Sequence, residues 1–427
     1  MKPGRLESMD RVFGRSNNPA IRTLANQEDL DADYSNGIPV AKTKGTGDIV
    51  YIDFHNTTKV GLFGPSGSGK TIFGKAMVSR LSETGRVIYN GGDVKNDFQV
   101  LDKYGGVSKK LIDKMGLMAN EEPTEIPKKL FVPKPVLEAW GKNPSYVTPF
   151  TLGFQDISET DFKFLVGEGD LTTAQDAVLS NVLNEISIKE TSFDELRTLV
   201  EQKSESVQVE KSLRSKLNGL ESNMVISNRY REDPVKFLDE GYAVALGLQG
   251  FSNFTNGGMY KLQFYVSVVF RNLMNRVMKG DIDADLVGLW PEFHRMAPSG
   301  ESSLLKQQVE EFFNMKQRQM DMPIVLDSQS PGQIPNPNIK SSQYNFLGKL
   351  THVFLGCDRN GRELGEKDWK TVLKSMNMLN RSNVDEWRSR MASLEPFDFL
   401  YVNPGKHDRP RDCPVVRSLA PLVSHPD

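Results

Sequence analysis

The chain has 427 residues, of which 53 are lysine or arginine and 55 are aspartate or glutamate, giving a formal net charge of −2. This balance excludes a generally basic nucleic-acid coat protein, so any contact with DNA must come from a local patch or from the lumen of a ring. The only cysteines, Cys357 and Cys413, lie far apart, and the five histidines are scattered, which argues against disulfides and zinc and predicts a cytoplasmic protein. No apolar run approaches the ~18 residues of a membrane span, so we expect no membrane association.

Residues 1–47 mix arginine, asparagine, aspartate and glycine without periodicity, and they predict an extended N-terminal arm. The ordered core is expected to begin at Asp48. From there, short apolar strands alternate with helical patterns, which predicts an α/β fold with a mainly parallel sheet and right-handed crossovers. The predicted division is a core of residues 48–103 and 241–395, an irregular and helical insertion at 104–240, and a C-terminal β arm at 396–427.

Runs of apolar and β-branched residues bounded by glycine and asparagine give the strand positions. The predicted strands are residues 50–54, 59–63, 86–90, 129–132, 242–248, 285–290, 323–328, 352–355, 397–402 and 414–416. Six prolines between residues 104 and 150 predict an irregular excursion. Apolar residues spaced at three and four predict helices within 157–239, and further helices at 71–83 and 258–279.

The most specific local pattern is the strand at 59–63 followed by G-x-x-x-x-G-K-T and a helix. Glycines in such a loop let backbone N–H groups approach a phosphate without a Cβ in the way. Lys70 would supply a positive charge to the β- and γ-phosphates, and the Thr71 hydroxyl is placed for Mg²⁺. The pattern predicts nucleoside-triphosphate binding by Gly64, Pro65, Ser66, Gly67, Ser68, Gly69, Lys70 and Thr71.

A P-loop needs a second polar cluster at the ends of neighbouring strands to orient the attacking water. After the strand at 285–290, Glu292 is the candidate base. After the strand at 323–328, Gln329 can sense the γ-phosphate, and Arg318, near the end of a helix predicted at 303–319, can reach a neighbour's nucleotide.

Three segments carry a resemblance to a known family. Residues 93–98 (DVKNDF), residues 292–298 (EFHRMAP), and Arg318 followed eleven residues later by Gln329-Ser-Pro resemble, together with the P-loop, the ordered motifs of the HerA/FtsK superfamily of DNA-pumping ATPases. They look closest to the archaeal HerA branch. The match covers residues 48–420 and is specific because four motifs agree in type, order and spacing.

The resemblance implies a RecA-like P-loop ATPase core that forms a hexameric ring around duplex DNA, with ATP and Mg²⁺ held between subunits. In those terms Asp93 and Glu292 serve the water and metal shell, Gln329 is the sensor, and Arg318 acts on a neighbour's nucleotide. A nuclease, or a viral or mobile-element protein, is the kind of partner that such motors have. Secretion and conjugation ATPases are a further possibility, although they usually carry membrane helices.

The chain departs from the family pattern in two places. Where the family has the Walker B aspartate, this chain has Pro291, which cannot ligate Mg²⁺. We hypothesise that Asp327, two residues before Gln329, takes over as metal ligand; the alternative is a ring scaffold that binds ATP without hydrolysing it. In addition, 47 residues are too few for the small β-barrel that precedes the motor in HerA proteins.

Several positions keep a simpler structural alternative. His294 could pack beneath the sheet edge, and Asp93 could cap a helix. Arg318 could be an ordinary solvated arginine. Three more arginines compete with it for the role of an arginine finger: Arg295, Arg359 and Arg362.

Overall fold

The computed structural model describes residues 21–22, 34, 37–55, 58–93, 115–140, 147–167, 171–229, 231–249, 258–297, 304–313, 317–334 and 345–423. Within these ranges the strands are β1 (Ile21–Arg22), β2 (Ile38–Thr43), β3 (Ile49–Ile52), β4 (Lys59–Phe63), β5 (Val87–Asp93), β6 (Lys128–Pro133), β7 (Val147–Phe150), β8 (Ala243–Gly247), β9 (Leu286–Trp290), β10 (Ile324–Ser328), β11 (His352–Gly356), β12 (Phe399–Val402) and β13 (Val415–Ser418).

Helices cover the faces of these strands and build the insertion. The helices in the described residues are α1 (Lys70–Glu83), α2 (Lys134–Trp140), α3 (Glu159–Gly167), α4 (Thr173–Glu185), α5 (Phe193–Lys203), α6 (Val207–Ser222), α7 (Lys236–Asp239), α8 (Gly258–Lys279), α9 (Phe293–Met296), α10 (Leu304–Glu311), α11 (Gln317–Met320), α12 (Glu366–Ser375) and α13 (Val384–Ala392). No helix in this part of the chain is both long enough and apolar enough to cross a lipid bilayer.

All the described strands belong to one sheet, in the order β1-β3-β2-β13-β12-β11-β4-β10-β9-β5-β8-β6-β7. Every pairing from β11 to β7 is parallel, and the pairings from β1 to β11 are antiparallel. The predicted α/β class, with a mainly parallel RecA-like core and a C-terminal β extension, is confirmed. The P-loop strand β4 lies near the middle of the sheet, between β11 and β10.

The two faces of the sheet carry different helices, as the period-two alternation of strand side chains requires. On one face, Phe73 and Met77 of α1 share an apolar cluster with Val60, Leu62 and Val325. On the other face, Phe270 of α8 packs edge-on against Trp290, with ring centroids 4.9 Å apart. Helix α1, which starts at the P-loop, is thereby fixed on the sheet.

The sheet begins earlier in the chain than the sequence predicts. Strand β2 falls within the predicted arm, before Asp48, yet it is buried and pairs with both β3 and β13. Its pairing register shifts between Pro39 and Ala41, as expected for a strand that accommodates a proline. Because Pro39 interrupts its short apolar run, the local sequence does not mark β2 as a strand.

The insertion is part strand and part helix. Strands β6 and β7 extend the parallel sheet beyond β8, and helices α3 to α6 follow them. The apolar residues at three and four spacing, such as Leu179, Val182 and Leu183, are buried in the main core. Helices therefore form within 157–239 as predicted, while the division into a core and an insertion at 104–240 stays a prediction.

The helix predicted at 303–319 is described in two stretches. These are α10 and the short α11, and the residues between 313 and 317 lie outside the described ranges. The buried Gln317 side chain donates to the Thr58 and Met322 carbonyls, which ties α11 to the start of β10. Asp321, with a φ of 43°, then reverses the chain into that strand.

Candidate nucleotide site

Three adjacent parallel strands bring the candidate residues together. The P-loop follows β4, Gln329 follows β10, and Glu292 comes two residues after β9. Because parallel neighbours end at the same edge of a sheet, these segments meet there. The Gly64 N–H donates to the Ser328 carbonyl at 3.4 Å, so the P-loop and the end of β10 are in direct contact.

The P-loop has the backbone that its glycines predict. Gly67 and Gly69 have φ values of 78° and 89°, in the left-handed region that side chains other than glycine rarely adopt. A β carbon on Gly64 would lie 2.7 Å from Ser68 Oγ, so this position also needs glycine. Helix α1 starts directly after Gly69 and has no acidic residue in its first turn. The loop and the positive end of the helix dipole therefore suit an anion.

Lys70 lies inside this loop and is 6% exposed. Its Nζ donates to the Gly64 carbonyl at 2.7 Å, to the Pro65 carbonyl at 2.9 Å and to Ser68 Oγ at 3.4 Å. The ammonium is held across the concave side of the loop, where phosphate oxygens would compete with these neutral acceptors. A charged acceptor binds an ammonium more strongly than a carbonyl does, so the cradle fits a triphosphate.

Glu292 is nearly buried, at 3% exposure, and adopts a left-handed backbone with a φ of 50°. Two contacts fix it. Its N–H donates to Asp327 Oδ1 at 3.1 Å, and its carboxylate Oε1 accepts from Gln329 Nε2 at 2.7 Å. The structure therefore brings together three of the residues that the sequence singles out. A non-glycine residue held at positive φ is a strained position, and such positions cluster at functional sites.

His294 also belongs to this cluster. Its Nδ1 lies 2.9 Å from Ser328 Oγ, and its Nε2 lies 3.6 Å from Glu292 Oε2. The ring thus bridges the end of β10 and the candidate base, in place of the simple packing role that the sequence left open. Ser328 was not singled out from the sequence, because a serine at the end of an apolar strand carries no specific signal.

Asp327 lies on the same face of the sheet as the P-loop helix. Val325, two residues earlier on β10, packs in the α1 cluster with Phe73, and alternation places Asp327 on that face. Asp327 is 5% exposed. Hydroxyl and carboxylate oxygens are the ligands that Mg²⁺ prefers, so Thr71, Asp327 and Glu292 form a suitable donor set.

That donor set is incomplete without a nucleotide. Across the described ranges, no three histidine, cysteine, aspartate or glutamate side chains converge into a ready-made metal site. Mg²⁺ commonly binds through one or two carboxylates and the phosphates of a substrate. The residues present therefore fit a cation that enters with a nucleotide.

The remaining candidates are spread around the site. Arg295 is 42% exposed, with its Nε 3.9 Å from Glu292 Oε2. Arg359 and Arg362 are exposed in the turn that follows β11, next to β4. The backbone N–H groups of Arg362 and Asn360 donate to the Asp358 carboxylate and hold its pKa below the usual range.

Two candidates are only partly described. The backbone of Asp93 ends β5, and the backbone of Arg318 is part of α11. The side chains of both lie outside the described residues. Their proposed roles, and the helix-capping and solvated alternatives, stay predictions.

Comparisons with known proteins place this geometry in a class. No protein-family model matches the chain, and no curated protein matches it. Among solved structures, VirB4 of Thermoanaerobacter pseudethanolicus is similar at 14% identity, over 90% of this chain and 96% of that chain, with a TM-score of 0.58.

Two further likenesses are weaker. One is to the plasmid coupling protein TrwB in complex with a non-hydrolysable GTP analogue, at 12% identity over 93% of this chain and 90% of that one, with a TM-score of 0.46. The other is to the genome packaging NTPase B204 from Sulfolobus turreted icosahedral virus 2, at 7% identity over 86% and 98%, with a TM-score of 0.34. At these TM-scores neither likeness carries weight on its own.

The fold and the P-loop edge of the sheet define a P-loop NTPase fold of the RecA-like class. Within that class, the chain has the fold of VirB4, and the similarity extends over nearly the whole of both chains. This likeness confirms the predicted fold, and membership of the HerA/FtsK superfamily stays a prediction. The closer affinity to the archaeal HerA branch stays a prediction.

Proposed function

We propose that this protein is an ATP-driven DNA translocase motor that works as a hexameric ring on duplex DNA. The observation that carries the proposal is the contact of Glu292 with both Gln329 and Asp327 at the P-loop edge of the sheet. A P-loop alone can bind nucleotide, whereas a buried carboxylate held beside a polar sensor can also orient water for hydrolysis.

The proposed division of labour follows from these positions. The P-loop amides and Lys70 hold the β- and γ-phosphates, Glu292 orients the attacking water, and Gln329 couples the γ-phosphate to Glu292. Thr71 and Asp327 would hold Mg²⁺, which when bound offsets the charge that develops on the phosphates. Asp93 is proposed for the same water and metal shell, and Arg318 for the nucleotide of a neighbouring subunit.

Support for DNA as the cargo comes from the order and spacing of the motifs, which resemble those of DNA-pumping ATPases. The net charge of −2 makes the outer surface a poor general DNA-binding surface, which favours contact through a ring lumen. A cytoplasmic setting, and a nuclease, viral or mobile-element partner, belong to the same proposal.

The deciding experiment is steady-state ATP hydrolysis by the full chain, with and without duplex DNA, together with particle images. We expect duplex DNA to raise turnover and the images to contain six-fold rings. Lys70→Ala is the matched control, because it removes the charge that holds the phosphates and should lower turnover to background in both conditions. Equal turnover with and without DNA, in particles without six-fold symmetry, would contradict the proposed motor function.

Pro291 favours one second candidate, a ring scaffold that binds ATP without hydrolysing it. A proline stands where a metal-binding aspartate is expected, and a bound nucleotide could still join subunits. In that case ATP would promote assembly, wild-type turnover would equal that of Lys70→Ala, and DNA would change neither. The same set of measurements therefore separates the two candidates.

A further inference from the structure

An aromatic side chain from the far end of the chain lies against the P-loop. Phe397, in the loop between α13 and β12, has its Cδ1 3.6 Å from the position that a β carbon on Gly69 would take. Gly69 is the last residue before α1 and has a left-handed backbone. The ring therefore borders the space next to Gly69, in the loop that is proposed to hold the phosphates.

The backbone at Phe397 is strained. Its φ is 67°, in a region that bulky side chains avoid, and the neighbouring residues keep it there. The fully buried Asp398 carboxylate accepts hydrogen bonds from the Lys44 and Arg417 side chains. The Asp398 N–H donates to the Glu395 carbonyl, and the Glu395 N–H donates to Asp398 Oδ2, which closes a tight turn. Such strain persists only where the surroundings enforce it, commonly at ligand clamps.

The burial pattern of this loop singles out the same ring. Asp398 is fully buried and Phe399 is 1% exposed. Phe399 packs against Phe73 of α1 with ring centroids 5.1 Å apart. Phe397 is only half-buried, although it is aromatic. The chain is thus anchored directly after Phe397, whose ring is partly exposed near the P-loop.

We propose that Phe397 is the stacking platform for the base of the bound nucleotide. This inference rests on the proposed function, since it concerns the same nucleotide. A base has two apolar π-faces, and stacking on an aromatic side chain is a common way of holding it. In this assignment the P-loop binds the phosphates, and the C-terminal part of the chain contributes the surface on which the base stacks.

The chemistry of the ring sets the expected specificity. A phenyl ring has no hydrogen-bond donor or acceptor, so it stacks on adenine and guanine alike. Loss of the ring should lower the affinities for ATP and for GTP by a similar factor, about 10-fold, which is within the usual range for one base–aromatic stack. Binding of inorganic tripolyphosphate, which has no base, should not change.

The test is calorimetric titration of the full chain with ATP, GTP and tripolyphosphate, using wild type, Phe397→Ala, Phe397→Tyr and Phe397→Leu. We expect the alanine and leucine variants to lose affinity for both nucleotides and to retain tripolyphosphate binding. The tyrosine variant, which keeps an aromatic face, should bind like wild type. Phe397→Leu keeps apolar volume against Gly69, so it gives the answer if the alanine variant does not fold.

Tyr242→Ala is a matched control, because Tyr242 is a half-buried aromatic residue that precedes β8, whereas the P-loop follows β4 at the other end of the parallel strands. It should leave all three affinities unchanged. If wild type binds ATP and the alanine and leucine variants bind it equally well, Phe397 is not a base platform. A parallel loss of tripolyphosphate affinity would also overturn the inference. If wild type itself binds no nucleotide, the proposed function fails first.

Discussion

At the scale of single residues, Asp327 has one observed contact and one proposed role. Its Oδ1 accepts the backbone N–H of Glu292, which supports a left-handed conformation, and its charge would serve Mg²⁺ in the absence of an aspartate at Pro291. The contact needs only an oxygen, whereas the proposed role needs a carboxylate. Substitutions that remove the charge alone, or both, therefore distinguish them.

We predict that Asp327→Asn binds ATP in the presence of EDTA as well as wild type does, because its amide oxygen can still accept the Glu292 N–H. Its Mg²⁺-dependent turnover should fall on the order of 100-fold, as expected when a charge that stabilises the transition state is lost. Asp327→Ala should abolish this turnover. Measurement of hydrolysis over a Mg²⁺ series checks both variants, and wild-type turnover in Asp327→Asn would rule out the metal role.

The residue scale also shows how far the sequence predicts the site. Glu292 and Gln329 could be recognised because each follows a strand that has its own apolar pattern. The contact of the Glu292 N–H with Asp327 could not, since it depends on the register of β9 against β10. Phe397 falls within the strand predicted at 397–402, whereas the observed strand β12 begins at Phe399, and only the folded chain brings the Phe397 ring near Gly69.

At the scale of elements, Asp398 joins three parts of the sheet. It binds Lys44, in the turn after β2, and Arg417, on β13, and it lies one residue before β12. The two basic side chains are partly exposed, whereas the carboxylate is fully buried. A buried carboxylate with two cationic partners is costly to neutralise, because Arg417 then loses its counter-charge and Lys44 keeps only Glu395, 2.7 Å away.

We predict that Asp398→Asn lowers the free energy of unfolding by about 2 kcal/mol, measured by urea denaturation. The substitution keeps the size of the side chain, so the loss of stability measures the contribution of the charge. Asp385→Asn is the control, because Asp385 is 92% exposed and its pairing with Arg388 should contribute less than about 1 kcal/mol. Equal stability of the two variants would show that Asp398 does not join these strands.

Strands and helices were predictable where the local pattern decides their formation. The strand at Lys59–Phe63 and the helix at Gly258–Lys279 have the predicted bounds, because each has a clear apolar period and clear boundaries. Strand β2 was missed because Pro39 interrupts its short apolar run and because one of its two partners, β13, lies at the other end of the chain. The side-chain bonds from Gln317 to the Met322 carbonyl and the distant Thr58 carbonyl were not predictable, because they depend on the folded chain.

At the scale of the whole molecule, β13 connects the two ends of the chain. It pairs with β12 on one side and with β2 on the other. Strand β2 in turn pairs with β3, and β3 pairs with β1. Among the described strands, the N-terminal group therefore joins the rest of the sheet through β13. The parallel half, with the P-loop, lies on the other side of β12 and β11.

We predict that Val416→Pro speeds backbone hydrogen exchange in β2 and β3 at least about 10-fold, since proline removes a ladder donor from a strand that is paired on both sides. Exchange in β6 and β7, at the opposite edge of the sheet, should stay unchanged. Val207→Pro is the matched control. Val207 is 64% exposed and is the first residue of α6, where proline is tolerated. Unchanged exchange in β2 and β3 would mean that β13 is not their main attachment.

The pairing of β2 with β13 also has a consequence for the order of events during synthesis. Thr43 pairs with Val416 across nearly the whole length of the chain. At ~5–20 residues per second, the hairpin of β2 and β3 would leave the ribosome on the order of tens of seconds before its partner strand exists. Until then its apolar side chains have no sheet to join, and the nascent protein carries an exposed strand edge that a chaperone, or a neighbouring nascent chain, can bind.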